Sequence, residues 1–163
     1  MRTLVALFAL IGAVPTYIRS SDPVISADGS RFSRKFSRGK EAIRIDVRRR
    51  PFRVGDHRIK EVHGDVTVDG RIPLGTDGVL EGLKTEIAQI RIGWGATIVE
   101  LNKELFQDCF NANMESVRAA PSEDFRSVLV TISGGDGAGA YEVYVIVSRD
   151  GFATRFVAGE GGL

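Results

Sequence analysis

The sequence is poor in the residues that build cross-links and metal cages. It holds one cysteine, Cys109, among 163 residues. A lone thiol excludes an internal disulfide, and it excludes every zinc site built on several closely spaced thiolates. Histidine is almost as scarce, with His57 and His63 alone. The apolar run from Leu4 to Val14 falls well short of the roughly 20 residues a helix needs to cross a bilayer. Long repeats, extended low-complexity stretches and dividing linkers are absent, and so is the Gly-x-Ser-x-Gly elbow of serine hydrolases. What remains is ordinary: 43% apolar residues, 26% charged residues and a net charge of +1. That is the composition of a folded globular chain, and at this length one core can form without metal or disulfide.

The N-terminus carries the first positive signal. Arg2 precedes the unbroken run Leu4 to Val14, which stops at Pro15. A charged residue followed by an apolar stretch of this length matches the core of a secretory signal peptide. Residues 1–21 are therefore expected to be an export segment, with Ala13 as the best cleavage position. Residues 22–163 would follow as a single β-rich domain, secreted or periplasmic, with no membrane span in the mature chain.

Charge is balanced overall but segregated along the chain. Residues 31–60 hold 12 Lys and Arg against three acids, whereas residues 61–163 hold 8 against 16. A basic segment precedes an acidic body.

Alternation dominates the secondary-structure signal. Val128, Val130 and Ile132 alternate with Leu129 and Thr131; a Gly-rich stretch follows, and then Tyr141 to Val147 reads YEVYVIV. Asp150-Gly151 is a tight-turn pair because both residues tolerate positive φ, and Phe152 to Ala158 alternates again. This predicts a three-stranded antiparallel meander. Upstream, Ala42 to Val47 alternates apolar with charged residues, and the Phe-Ser-Arg tandem of residues 32–38 reads as a strand beside it. Val62, Val66 and Val68 place an apolar face on a further strand that ends at Asp69-Gly70. Val79, Leu80, Leu83, Ile87 and Ile90 fall at helical spacing that would suit a helix from about Asp77, but the alternation of Ile90, Ile92 and Trp94 and the glycines at 93 and 95 favour a loop and then a strand from about Thr85 to Trp94. Leu101, Leu105, Phe106, Cys109 and Phe110 fall on one helical stripe. They predict a short α-helix over about 102–110, capped by Asn102 and closed by Asn111 or Asn113 in a left-handed conformation. The fold class expected is mainly β: an antiparallel β-sandwich or partly open barrel, with this helix and the C-terminal meander.

Four groups of residues could carry function. Arg31, Arg34, Lys35, Arg38, Arg48, Arg49, Arg50 and Arg53, with Lys40 and Arg44 between them, could grip phosphates or sulfates, and the interleaved Phe32, Phe36 and Phe52 could stack on bases. The competing reading pairs these cations with acids of the same fold. His57, Glu61, His63 and Asp65 are metal-ligating types within a short stretch, but on a strand Glu61, His63 and Asp65 form its wet face, and no metal is assigned. Gly134, Gly135, Asp136 and Gly137 lie in a glycine-rich loop. A strand rather than a helix follows it and no Lys-Ser/Thr pair is present, so a plain connector is the simpler reading. Cys109, on the apolar stripe, suits a buried small hydrophobe rather than a nucleophile.

These features imply no cofactor and no catalytic residues. They fit an exported, non-catalytic module that binds another macromolecule or an envelope component. The first rival is a binder of anionic polymers, nucleic acid or acidic polysaccharide, through residues 31–53. The second is a small hydrolase whose acids are scattered through the sequence.

Overall fold

Strands form here where apolar and polar residues alternate, because period two sends one set to the core and the other to water. The structure is a computed structural model and describes residues 18–62, 64–76, 79–135 and 139–159. Its strands are β1 (Arg19–Ser20), β2 (Val24–Ile25), β3 (Arg31–Arg38), β4 (Glu41–Pro51), β5 (Ile59–Val62), β6 (Asp65–Val68), β7 (Thr85–Trp94), β8 (Thr97–Glu100), β9 (Arg118–Pro121), β10 (Ser127–Gly134), β11 (Tyr141–Ser148) and β12 (Ala153–Gly159). The larger sheet has the order β1-β3-β4-β7-β8, with β2 also on β3; the second runs β12-β11-β10-β9; β5 and β6 form a separate hairpin. All of these pairings are antiparallel. The fold is mainly β, as the alternation predicts.

The two larger sheets share one core. Phe32 and Phe36 of β3, Ile43, Ile45 and Val47 of β4, and Ile90, Ile92 and Trp94 of β7 pack in one cluster with the valines of β10 and β11. Burial of each such side chain contributes roughly 1.5–3 kcal/mol. The C-terminal meander has the expected register, with Val128 opposite Val147 and Val147 opposite Ala153. Its turn places Gly151 at φ 92°. Residues 85–94 form the predicted strand.

Two expectations are corrected. Residues 61–68 are not one strand: Gly64, at φ 89°, turns the chain so that Glu61 faces Val66 and Val62 faces Asp65 across a hairpin. Nor do residues 102–110 form an α-helix. Only Lys103–Leu105 make a 3-10 turn, capped by the Asn102 side chain, which accepts from the Glu104 N–H. The apolar stripe is real, since Leu101, Phe106, Cys109 and Phe110 are all buried. Its backbone hydrogen bonds are nevertheless short local turns, Phe106 N–H to Lys103 and Cys109 N–H to Phe106, until the Cys109 carbonyl accepts from Ile87 of the neighbouring strand β7.

That neighbour explains the shape of the whole segment. After β8 the chain stays on the edge of β7: the Leu101 N–H donates to the Ile90 carbonyl (3.0 Å), the Ile87 N–H to Cys109 (3.3 Å) and the Asn111 N–H to Thr85 (2.9 Å). Two residues later the Asn113 N–H donates to the Ser133 carbonyl (2.9 Å), and Ala112 bridges Gly134 at the end of β10. β9 then continues along β10. Asn111, at φ 52°, is the corner where the chain leaves one sheet for the other. Its Oδ1 accepts from the Lys84 and Thr85 N–H groups, and its Nδ2 donates to the Gly75 and Gly82 carbonyls.

Candidate anion-binding face

Register decides what each cation of residues 31–53 can do. Phe32 faces Val47 and Phe36 faces Ile43 inside the core. The intervening positions therefore point outward: Arg31 opposite Arg48, Ser33 opposite Asp46, and Lys35 opposite Arg44. Across the next strand pair, Asp46 faces Arg91, Arg44 faces Gly93, and Arg91 faces Glu100. The outer face of the larger sheet thus gathers Arg31, Lys35, Arg44, Arg48 and Arg91 around Asp46, with Glu100 at its margin. Arg31 is ion-paired with Asp46, and Arg91 approaches Glu100 at 3.7 Å. Lys35, Arg44 and Arg48 are exposed, and their side chains make no hydrogen bond or ion pair among the described residues.

The remaining candidates turn inward or to the margins. Arg34 Nη1 donates to the Ala119 carbonyl (3.3 Å), and its guanidinium lies over the Phe36 ring. Arg38 donates to the Glu123 and Asp124 carbonyls (2.6 and 3.0 Å), pairs with Glu41 and covers the Phe125 ring. A register shift between Arg48 and Arg49 redirects Arg49, whose Nη1 reaches the Ala112 carbonyl (3.0 Å). Arg50 pairs with Glu86 and lies 3.7 Å from Asp56. Arg53 is exposed beyond the end of β4. Structural and outward roles therefore divide the basic segment. The stacking component falls away: Phe32 and Phe36 are core residues, and Phe52 stacks on His57 at 5.0 Å. Arg91, from the acidic part of the chain, joins the face only through the β4–β7 pairing. Its outward direction is legible from Ile90 and Ile92, but its neighbours are not.

Among the described residues the histidine cluster does not come together as a site. The His57 side chain is only 8% exposed and lies between Asp69 (Nδ1 to Oδ2, 2.8 Å) and Glu86 (Nε2 to Oε2, 3.1 Å). The second contact lies off the hydrogen-bonding direction, which leaves Nε2 buried without a hydrogen bond. The hydrogen bond from His57, with another from the Arg58 N–H, holds the Asp69 carboxyl below its usual range. Glu61 and Asp65 are exposed on the β5–β6 hairpin, and His63 lies outside the described residues. Among the described residues no trio of His, Cys, Asp or Glu is placed to hold a metal ion.

The glycine-rich loop meets the Asn111 corner. A Cβ on Gly134 would lie 2.7 Å from the Tyr141 hydroxyl and 2.8 Å from the Asn111 carbonyl oxygen, and one on Gly135 would overlap the Gly139 carbonyl. These glycines permit close backbone packing, while Asp136 and Gly137 lie outside the described residues. An open cleft of about 430 Å³ above the corner is lined by Arg49, Lys84, Asn111 and Gly135 among others. Cys109 is fully buried, and burial, aided by Asp108, pushes its thiol up to about 12. It cannot supply a thiolate at neutral pH.

No family model, curated protein or solved structure matches this chain. Its own geometry defines a class: a mainly-β protein with two antiparallel sheets on one core and a cationic outer face. No helix among the described residues is long and apolar enough to cross a membrane.

Proposed function

We propose that this protein is an exported, non-catalytic binding module that holds an anionic polymer against the outer face of its larger sheet. The carrying observation is the placement of like charges directly opposite each other, Arg31 with Arg48 and Lys35 with Arg44. Like charges directly opposite each other destabilise a sheet, in full at Lys35 and Arg44 and in part at Arg31, which is also paired with Asp46. A ligand that brings negative charge repays that cost. Export is supported by Arg2 and the Leu4 to Val14 run, and cleavage after Ala13 would leave β1 on the sheet. The non-catalytic reading is supported by the burial of the Cys109 thiol and of His57, whose side chain is only 8% exposed.

The test is salt-dependent retention on heparin-agarose. Wild type should be retained, and Arg44→Ala with Arg48→Ala should reduce the log–log salt slope by about two, one per cation removed. The double variant should melt no lower than wild type, since it relieves repulsion. Unchanged retention after loss of both arginines would refute the assignment of this face.

A further inference from the structure

We infer that two copies of this chain join edge to edge through β12, carrying the smaller sheet from one molecule into the next. What points to it is an unguarded sheet edge whose sequence pairs with itself.

Free strand edges template pairing with other chains, and folded proteins blunt them with short strands, charge, proline or bulges. Most edges here follow that rule. β1 and β2 have two residues each, β8 has four and ends in Glu100, and β9 has four and ends in Pro121. β12 is the exception. It is seven residues long, holds no proline or lysine, pairs with β11 in unbroken register and stands last in its sheet. The Ser148 N–H donates to the Phe152 carbonyl (2.8 Å). Hydrogen-bonded pairs alternate along such a ladder. Thr154, Phe156 and Ala158 therefore bond to β11, while Ala153, Arg155 and Val157 turn their N–H and C=O groups outward. Among the described residues no backbone group bonds to them there.

The strand is also self-complementary. A two-fold axis at Phe156, its central residue, sets Ala153 opposite Gly159, Thr154 opposite Ala158 and Arg155 opposite Val157 of the second copy. All seven residues then pair, through about eight new backbone hydrogen bonds. An axis at Arg155 would oppose two arginines, and one at Val157 would leave Ala153 and Thr154 without partners in β12. Charge offers no obstacle, because Arg155 is already paired with Asp108 at 2.6 Å. Apolar surface waits at the centre: Phe156 and Val157 are 58% and 46% exposed. Across the axis Phe156 meets its counterpart, and with Tyr144 beside it on β11 four aromatic rings fall in one row. On the other side of the strand Val157 lies against the Arg155 stem of the second copy. One strand edge sits at the small end of interfaces, below about 1,200 Å², so the dimer dissociates on dilution.

A two-fold between antiparallel strands stands perpendicular to their sheet, and both copies keep the same face on the same side. The larger sheets, packed on the inner side, therefore turn their cationic faces the same way. On the binding reading above, the dimer is bivalent for one polymer.

Sedimentation of the wild-type chain should show dimer at about 100 μM and monomer at about 1 μM. Val157→Pro removes an outward N–H that the single molecule does not use, and it should fold and stay monomeric at both. Phe156→Lys and Phe156→Glu each set like charges at the axis and should be monomeric alone, whereas their equimolar mixture should dimerise. A monomeric wild type at the higher concentration, a dimer that survives Val157→Pro, or a mixture that stays monomeric would each overturn the inference. On heparin-agarose, Val157→Pro keeps every cation and should show about half the log–log salt slope of the dimeric wild type. Equal slopes would overturn the shared direction of the two faces. Failure of both proteins to bind would overturn the anion-binding reading and leave the dimer to stand on sedimentation.

Discussion

Asn111 is the most heavily committed single residue among those described. Its side chain holds four backbone groups from the stretch between residues 75 and 85, and its backbone takes the left-handed conformation that asparagine tolerates better than most residues. Asn111→Ala should lower stability by about 3 kcal/mol, through lost hydrogen bonds and the strain of alanine at positive φ. Asn111→Gly should recover only the backbone part, and thermal melts of the two variants would separate the contributions. Glycines offer a second test at this scale. Gly75 and Gly151 both have positive φ, 88° and 92°. A methyl group on Gly75 would overlap the Phe110 carbonyl, whereas one on Gly151 would meet nothing. Gly151→Ala should cost roughly 1–2 kcal/mol, the conformational penalty alone. Gly75→Ala should cost clearly more, and equal melting temperatures would contradict the packing at the corner.

At the scale of elements, one turn device recurs. Ser26 and Asp28, Ser122 and Asp124, and Ser148 and Asp150 each place a serine hydroxyl on the carboxylate two residues ahead. In each case the same carboxylate accepts the N–H two residues further on, from Ser30, Arg126 and Phe152. These bonds favour the ionised form, so all three carboxyls lie below their usual value of 3.8, Asp28 at about 2. A folded-state value below the unfolded one means that the unfolded chain takes up protons first as acid is added. The turns contribute fully above pH 3.8, and the Asp28 contribution is lost as pH falls towards about 2. Acid unfolding followed by Trp94 fluorescence should therefore be steeper in wild type than in a triple Asp→Asn variant at 28, 124 and 150. Equal steepness would show that other carboxylates govern acid stability. The Asp150-Gly151 turn was legible in the sequence because its chemistry is local. The residues 102–110 misled for the opposite reason: their apolar spacing fits a helix, but the segment is tied to β7 at its two ends, Leu101 to Ile90 and Cys109 to Ile87, by partners more than ten residues away in the chain.

Across the whole molecule, what the sequence hides is mostly who stands beside whom. The mainly-β architecture, the meander, β3 and β7 are all written in alternation and turn residues. The candidate face is only half written there. Period two sends Arg44 and Arg48 outward, yet nothing local shows that Arg91 lies across from Asp46, or that Arg34 and Arg38 spend their charge on carbonyls near β9. The two sheets consequently expose different chemistry. One outer face gathers the cations, with Val24 and Ile98 exposed at its borders, while the other carries Leu129, Ile146 and Phe156 at 36%, 38% and 58% exposure.

The corner at Asn111 bears on cooperativity. A protein whose sheets met only through side chains could open one sheet while the other stayed closed, because apolar contacts alone can be breached layer by layer. Here one continuous stretch of backbone supplies the hydrogen-bonded border of both, so fraying the border of β7 loosens the border of β10 with it. The protein should open as one unit rather than two. Native-state hydrogen exchange would read this directly: the slowest amides of β7 and β10 should share a single opening free energy and a single denaturant dependence. Asn111→Gly, which leaves that stretch of backbone continuous, should lower the shared value and keep β7 and β10 in one class, as two sheets still hung on a common seam.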